Sequence, residues 1–326
     1  MSNKEAYIVF CEQIPSLPLF LQPWWLDAVT QTDGKIWDVL LAKDENGMTV
    51  GAMPYLLRER FGFKYILLPQ MTQIGGIVVS PGVEGDKRKI ATICRQIKEQ
   101  LDGMGLAYYH QQFIPGSACV EAMCTLGFTT QAKVTYRVED LSDIDAVIAS
   151  FSKNKRRQLH KAKSLHIERG MDVNEFYRLH TEWLASRKRK IRYSNEFLAA
   201  LEGKARQLQQ CEILSVHNAD GEPYAAVFLS WDKRYMYYLI PTYNPMYADS
   251  GAGALLVLEA MKLAREKHVQ FDFEGSMDKG IANHYKQFGS IATTYYAVEK
   301  YYNSFFRVAF RIQELREWVS ALKCKV

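Results

Sequence analysis

The sequence predicts an α/β fold with mixed sheets, laid down twice along one chain with a helical connection between the copies. Three observations carry this expectation. Segments of period-two hydrophobicity rich in Val, Ile, Tyr and Phe alternate with segments of helical period, the pattern of strands interleaved with helices. The same order of elements, three strands followed by helix, strand, short helix and strand, recurs in the two halves. With 326 residues and 48% hydrophobic side chains, the chain is long enough for about two domains of ordinary size, each with its own core.

The first copy begins with strands over 37–43 and 49–57, joined by the turn Asp44-Glu45-Asn46-Gly47, and a third strand over 64–68. A helical period follows over 87–101, then a strand over 107–113, a short helix closing at Leu126-Gly127-Phe128, and a strand over 133–138. In the second copy the strands fall at 211–217, 224–231 and 235–241, with the turn Asn218-Ala219-Asp220-Gly221 between the first two. A helix over 253–267, a strand over 269–274, a short helix closing at Phe288-Gly289 and a strand over 293–300 complete it. The connection 141–203 has helical pattern throughout, and 305–322 reads as a tail helix. Domains are accordingly expected at 1–145 and 146–326.

Composition narrows the function classes. No basic, apolar and small-residue succession of a secretory leader opens the chain, and no apolar run reaches the length of a membrane span, so a cytoplasmic protein without an integral membrane segment is expected. The six cysteines are scattered without C-x-x-C or histidine spacing, which argues against a zinc site or a disulfide framework and leaves no metal expected. A net charge of +5 conceals two basic runs without interleaved acids. One holds Lys153, Lys155, Arg156, Arg157, Lys161 and Lys163, the other Arg187, Lys188, Arg189, Lys190 and Arg192. Either is a solvated helix face or an attractor of an anionic substrate, and Lys153, Arg156 and Arg157 are the candidate substrate-binding residues. The tyrosine-rich segments 235–243 and 295–302 fit sheet and core better than a platform for nucleic-acid bases.

The most informative stretch is NPMYADSGAGALLVLEAMKLARE, residues 244–266. It sets Gly251 and Gly253 where a turn becomes a long amphipathic helix. Bare backbone there opens the N–H groups of Gly251, Ala252, Gly253 and Ala254, unpaired in a first helical turn, to an anion. The helix dipole favours a phosphate at that end by about 0.3–2 kcal/mol. Downstream, Asp272 and Glu274 alternate with Phe271 and Phe273, so both carboxylates are expected on one side of a strand that ends at Gly275-Ser276. Both are candidate catalytic groups, Glu274 ahead of Asp272, and His284 is a candidate base.

The run Pro245-Met246-Tyr247-Ala248-Asp249-Ser250-Gly251-Ala252-Gly253-Ala254-Leu255-Leu256 resembles the acyl-CoA-binding motif of the GNAT N-acyltransferases, with Ala248 standing where that family usually has Arg or Gln. Tyr285, four residues before Gly289, matches the position where the resemblance implies a general acid for the leaving thiolate, although Ser290 replaces the usual aromatic. The first copy has Met123 at that position and no G-x-G before its helix. Phe151-Ser152-Lys153-Asn154-Lys155-Arg156-Arg157 leading to Lys161-Ala162, and Phe271-Asp272-Phe273-Glu274-Gly275-Ser276, are similar to the Fem-like branch of tandem GNAT proteins, which includes the peptidoglycan-bridge aminoacyltransferases. No helical arm of sustained heptads is present. The resemblance implies two GNAT domains. The second carries acyl-CoA (acetyl-CoA) as donor, and the first, degenerate copy is the acceptor side for an amine of a metabolite or envelope precursor. Transfer from aminoacyl-tRNA is the rival expectation, and a non-catalytic binding protein a second. No DNA partner is expected.

Overall fold

The structure is a computed structural model that describes all residues except 1, 32–33, 35, 276, 305 and 308–326. In chain order, helices α1 (Asn3–Glu12) and α2 (Pro23–Gln31) precede strands β1 (Trp37–Lys43), β2 (Thr49–Arg60), β3 (Phe63–Ile66) and β4 (Val78–Val79). Helix α3 (Lys87–Gly103), β5 (Leu106–Gln112), α4 (Cys119–Thr125) and β6 (Thr129–Val138) follow. The connection holds α5 (Ile144–Ser150), α6 (Lys153–Lys161), β7 (His166–Arg169), α7 (Val173–Ala185) and α8 (Asn195–Gln207). The remainder is β8 (Cys211–His217), β9 (Pro223–Trp231), β10 (Tyr235–Tyr243), α9 (Ala252–Glu266), β11 (Gln270–Asp272), α10 (Lys279–Lys286) and β12 (Ile291–Tyr301). The α/β class and the twofold order of elements are those expected. Strand β7 was not legible, since four residues with one partly buried apolar side chain carry no alternation. The expected tail helix lies outside the described residues apart from Phe306 and Arg307. Among the described residues no helix is long and apolar enough to cross a membrane.

The chain forms two compact units, one of Met1–Ile14, Lys35–Ala132 and Tyr295–Val326, the other of Pro15–Gly34 and Lys133–Thr294. This division differs from the expected one at 145/146 for a topological reason. The strands that end the two copies are exchanged. In the first unit β5 pairs in parallel with β3 and antiparallel with β12, Gln112 facing Ala297 and Tyr108 facing Tyr301. In the second, β11 pairs antiparallel with β6, Phe271 facing Val138 and Asp272 facing Arg137. Residues 15–34 also join the second unit, where the Leu19 N–H donates to the buried Asp232 carboxylate at 2.9 Å and Phe20 packs edge-on against Tyr237. Sequence pattern reports which faces are apolar but not which strand lies alongside, so the exchange was invisible to it.

The first unit packs α3 on β1 and β2 through Ile90, Ile93, Cys94, Ile97 and Leu101. The carboxylate of Asp86 caps this helix, accepting from the N–H groups of Arg88 and Lys89 at 2.9 and 3.1 Å. The helix corresponding to the Gly-rich one therefore has its anion position filled by its own chain, which is why this copy offers no cradle. In the second unit α9 is apolar almost all round. It buries Leu256, Val257, Leu258, Ala260, Met261, Leu263 and Ala264 among Leu214, Val216, Val227, Leu229, Met236 and Phe271 of the sheet.

Candidate functional site

Strands β10 and β11 pair in parallel only from Tyr235/Gln270 to Tyr237/Asp272. Strand β10 then runs on to Tyr243 against β9, whereas the chain after β11 turns away, with Glu274 at φ 65° and Gly275 at φ 80°. A wedge therefore opens along the second half of β10. On its β9 side the register skips Leu239 between Tyr238 and Ile240, so the Leu239 peptide is the extra unit of a bulge, outside both ladders. At the end of β10 the turn 244–250 leads into α9.

Gly251 caps α9 with φ 87°, a conformation that an L side chain adopts at a cost of about 1–2 kcal/mol. A Cβ there would lie 2.1 Å from the Gln158 carbonyl oxygen of α6. Gly251 is thus required first for the close approach of α6, and its bare backbone is a second consequence. Of the four N–H groups expected to be open, Ala252 donates to the Ser250 hydroxyl at 3.2 Å and Ala254 to the Gly251 carbonyl at 3.0 Å. Those of Gly251 and Gly253 remain. Gly253 faces the Tyr243 ring, 3.1 Å from where a Cβ would stand.

These residues line a pocket of about 250 Å³ together with Lys155, Gln158, Arg187, Tyr224, Tyr243, Asn244, Tyr247, Ala248 and His284. Its walls carry two cations and no carboxylate. Lys155 comes from α6 and is only 4% exposed. Its Nζ donates to Gln158 Oε1 at 3.1 Å, lies 3.2 Å from His284 Nδ1, and stands 4.7 Å above the Phe288 ring. Burial lowers its ammonium to about 8, and burial together with the Lys155 charge lowers His284 to about 4. His284 is therefore neutral at pH 7 and accepts through Nδ1, which places its proton on Nε2. Helices α6 and α10 are clamped by the Ser152 N–H donating to the Gln287 carbonyl at 2.8 Å. Gly289, at φ 73°, lets Ser150 approach. Arg187 reaches from the segment after α7 and donates to the Tyr243 carbonyl at 3.4 Å.

Of the basic run, Lys153, Arg156 and Arg157 are exposed on α6 and are not among the lining residues. Arg156 donates to the Ala149 carbonyl at 2.8 Å and Arg157 to Asn154 Oδ1 at 3.1 Å. Lys155, which the run contained but did not single out, is the residue turned inward. A signal existed: Phe151, Lys155, Leu159 and Ala162 fall at i, i+4, i+8 and i+11, so Lys155 sits on the apolar stripe of an otherwise polar helix. Nothing in the sequence marked Leu239.

Asp272 and Glu274 do not share a strand face, because β11 ends at Asp272 and Glu274 is left-handed. Asp272 is 1% exposed and accepts from Arg137 Nε at 2.7 Å, from the Thr135 hydroxyl and from the Glu274 N–H at 2.8 Å. Burial pushes its carboxyl up against these donors, and all its oxygens are engaged in holding β6 to the turn. Glu274 is different. Its Oε1 is buried without a partner, and burial with the nearby Asp272 charge raises its carboxyl well above the usual range. Tyr285 stacks on Phe273 at 4.5 Å and beside Tyr136 at 6.0 Å. Burial, Tyr243 and Glu274 raise its phenol, which stays protonated at neutral pH.

Residues 135–287 match the family model of the Acetyltransferase (GNAT) domain. No curated protein matches the chain. Among solved structures FemX is similar with a TM-score of 0.70 at 13% identity, over 91% of this chain and 96% of FemX. L-PGS from Bacillus licheniformis is similar with a TM-score of 0.57 at 13% identity, over 95% and 96%. The tandem GNAT protein from the clavulanic acid biosynthesis pathway is similar with a TM-score of 0.53 at 10% identity, over 91% and 94%. At these identities the likeness is one of fold, and the family match lies over the wedge, the pocket and α10. Residues 135–287 thus resemble the GNAT acetyltransferase domain, and over nearly its whole length the chain shares its fold with these structures.

Proposed function

We propose that the protein transfers an acyl group from acyl-CoA to an amine of a metabolite or cell-envelope precursor. The observation that carries this reading is the pocket at the start of α9, cationic and free of carboxylates, beside a strand pair that has come apart. The residues present fit the donor: the N–H groups of Gly251 and Gly253 are open to phosphate oxygens, and the wedge edge of β10 can pair with an extended amide chain. When bound, acyl-CoA supplies a thioester, whose sulfur leaves as the acyl carbon bonds to nitrogen.

The chain contributes positioning and proton handling. The Leu239 N–H, at the bulge, is the candidate donor to the carbonyl oxygen as negative charge develops there. Glu274 is the candidate base for the proton that the attacking nitrogen sheds: burial and Asp272 raise its affinity for a proton, and its unpartnered Oε1 has no competing donor. Tyr285, protonated and electrostatically linked to Glu274, is the candidate donor to the departing sulfur. Asp272 acts through the turn that presents Glu274 and is not assigned a chemical step. The acceptor amine, uncharged when it attacks, gives up one proton to Glu274, and the thiolate gains one through Tyr285. The test is thiol release from acetyl-CoA with a panel of amines, and absence of release with every amine would refute the reading.

A second reading, transfer from aminoacyl-tRNA to an envelope precursor, is favoured by the exposed Lys153, Arg156 and Arg157 on the helix that brings Lys155 to the pocket. Product formation that requires charged tRNA and ignores acyl-CoA would establish it. Replacing the three by Gln should then flatten the salt dependence of turnover.

A further inference from the structure

Lys155 is buried, yet it enters no ion pair among the described residues, and burial is the cause of its lowered basicity. Of its three ammonium donors, one goes to Gln158 and one to His284. The third has no acceptor among the described residues. An ammonium held away from water without a counter-ion is unfavourable, so the surroundings suit an anion that arrives from outside. The groups facing it carry no negative charge: Gln158 from α6, neutral His284 from α10, Arg187 from beyond α7, and Tyr243 at the end of β10. Glu222, which is not among the lining residues, accepts from the Tyr247 hydroxyl at 2.8 Å. On the same wall Ala248 presents only a methyl group.

We propose that Lys155 is the cation that grips the donor's diphosphate at the start of α9, reaching in from α6 where the cradle's own loop offers only Ala248. The assignment rests on the acyl-CoA reading and deepens it. The third N–H of Lys155 and the N–H groups of Gly251 and Gly253 then share the diphosphate oxygens. His284, accepting through Nδ1, orients the ammonium. Because burial lowers the Lys155 ammonium to about 8, binding a polyanion at pH 8 should return a fraction of a proton to it.

The test is calorimetric titration of CoA at pH 8 in two buffers of different ionisation enthalpy, on wild type and Lys155→Met. The variant should bind about ten- to a hundredfold more weakly, the usual effect of losing a hydrogen bond to a charged group, and should take up no proton. Dephospho-CoA, which keeps the diphosphate and lacks the ribose phosphate, should show the same penalty. Unchanged affinity in Lys155→Met, or a penalty that vanishes with dephospho-CoA, overturns the proposal. Methionine is expected to be tolerated because it removes an unpaired buried charge. Should it not fold, Lys155→Gln decides by the same comparison of affinities for CoA and dephospho-CoA. If wild type binds inorganic pyrophosphate with proton uptake but does not bind CoA, the acyl-CoA reading falls and the lysine assignment stands. If it binds neither, both fall.

Discussion

Replacing Gly251 with alanine tests whether that glycine serves the fold before it serves a ligand. Its φ of 87° adds about 1–2 kcal/mol for any L residue. The new Cβ would stand 2.1 Å from the Gln158 carbonyl oxygen and 3.2 Å from the Ala162 methyl, so α6 must recede by roughly 1 Å, an overpacking worth about 1–3 kcal/mol. Together Gly251→Ala should cost about 2–5 kcal/mol, a large part of the roughly 5–15 kcal/mol that holds an ordinary domain. Gly253→Ala is the control. Its Cβ meets only the Tyr243 ring, at 3.1 Å, and alanine gains up to about 1 kcal/mol of helix propensity, so stability should move by less than about 1 kcal/mol. Both variants should bind CoA more weakly, the first because Lys155 moves with α6, the second because a methyl crowds the open N–H. Urea denaturation followed by far-UV circular dichroism, with CoA calorimetry on the folded proteins, measures both. A Gly251→Ala protein within 0.5 kcal/mol of wild type, or equal losses for the two, would refute the packing account.

Tyr285→Phe should lower turnover by about 10²–10⁴-fold with little change in donor affinity; wild-type rates where chemistry is limiting would make the tyrosine structural. Glu274 carries a pH signature: its folded pKa lies above the unfolded value, so its contribution to stability is complete below about 4.5 and declines as pH rises towards the folded value. Glu274→Gln should remove that slope and stabilise the protein at neutral pH, while abolishing the acidic limb of turnover; an unchanged pH–stability curve would mean that the carboxyl is solvated. Arg137→Met leaves Asp272 buried and unpaired and should destabilise by about 3–5 kcal/mol, with most of that recovered in Arg137→Met/Asp272→Leu. Equal losses in single and double variants, read from urea midpoints, would show that the pair itself carries the stability.

Much of the fold was legible because its strands alternate cleanly: the reading over 211–217 coincides with β8, and α9 and α3 fall within one or two residues of their helical periods. What escaped was pairing. Nothing in the segment over 293–300 says that it lies beside β5 and not β11, since both positions want the same alternation. Local conformation was legible at Gly251 and Gly289, where the structure has a positive φ. The reading of the site failed where a turn redirected a side chain. Glu274 departs from strand geometry at a positive φ that a non-glycine residue seldom adopts, so the expected carboxylate pair became one satisfied and one unsatisfied group. The basic run drew attention through its exposed members, whereas the one that faces the pocket is marked by an apolar stripe that charge counting overlooks.

The exchanged strands govern how such a chain can be made and cut. An emerging polypeptide can close neither unit from its own early segments, because β5 waits for β12, and Arg137 waits for a carboxylate 135 residues further on. Until 291–301 has left the ribosome the outer edge of β5 is an unpaired template, open to any other extended chain. A break at 145/146, natural as it looks in the sequence, would yield two fragments each holding the other's closing strand. Neither should be soluble alone, and co-expression should restore what separate expression loses.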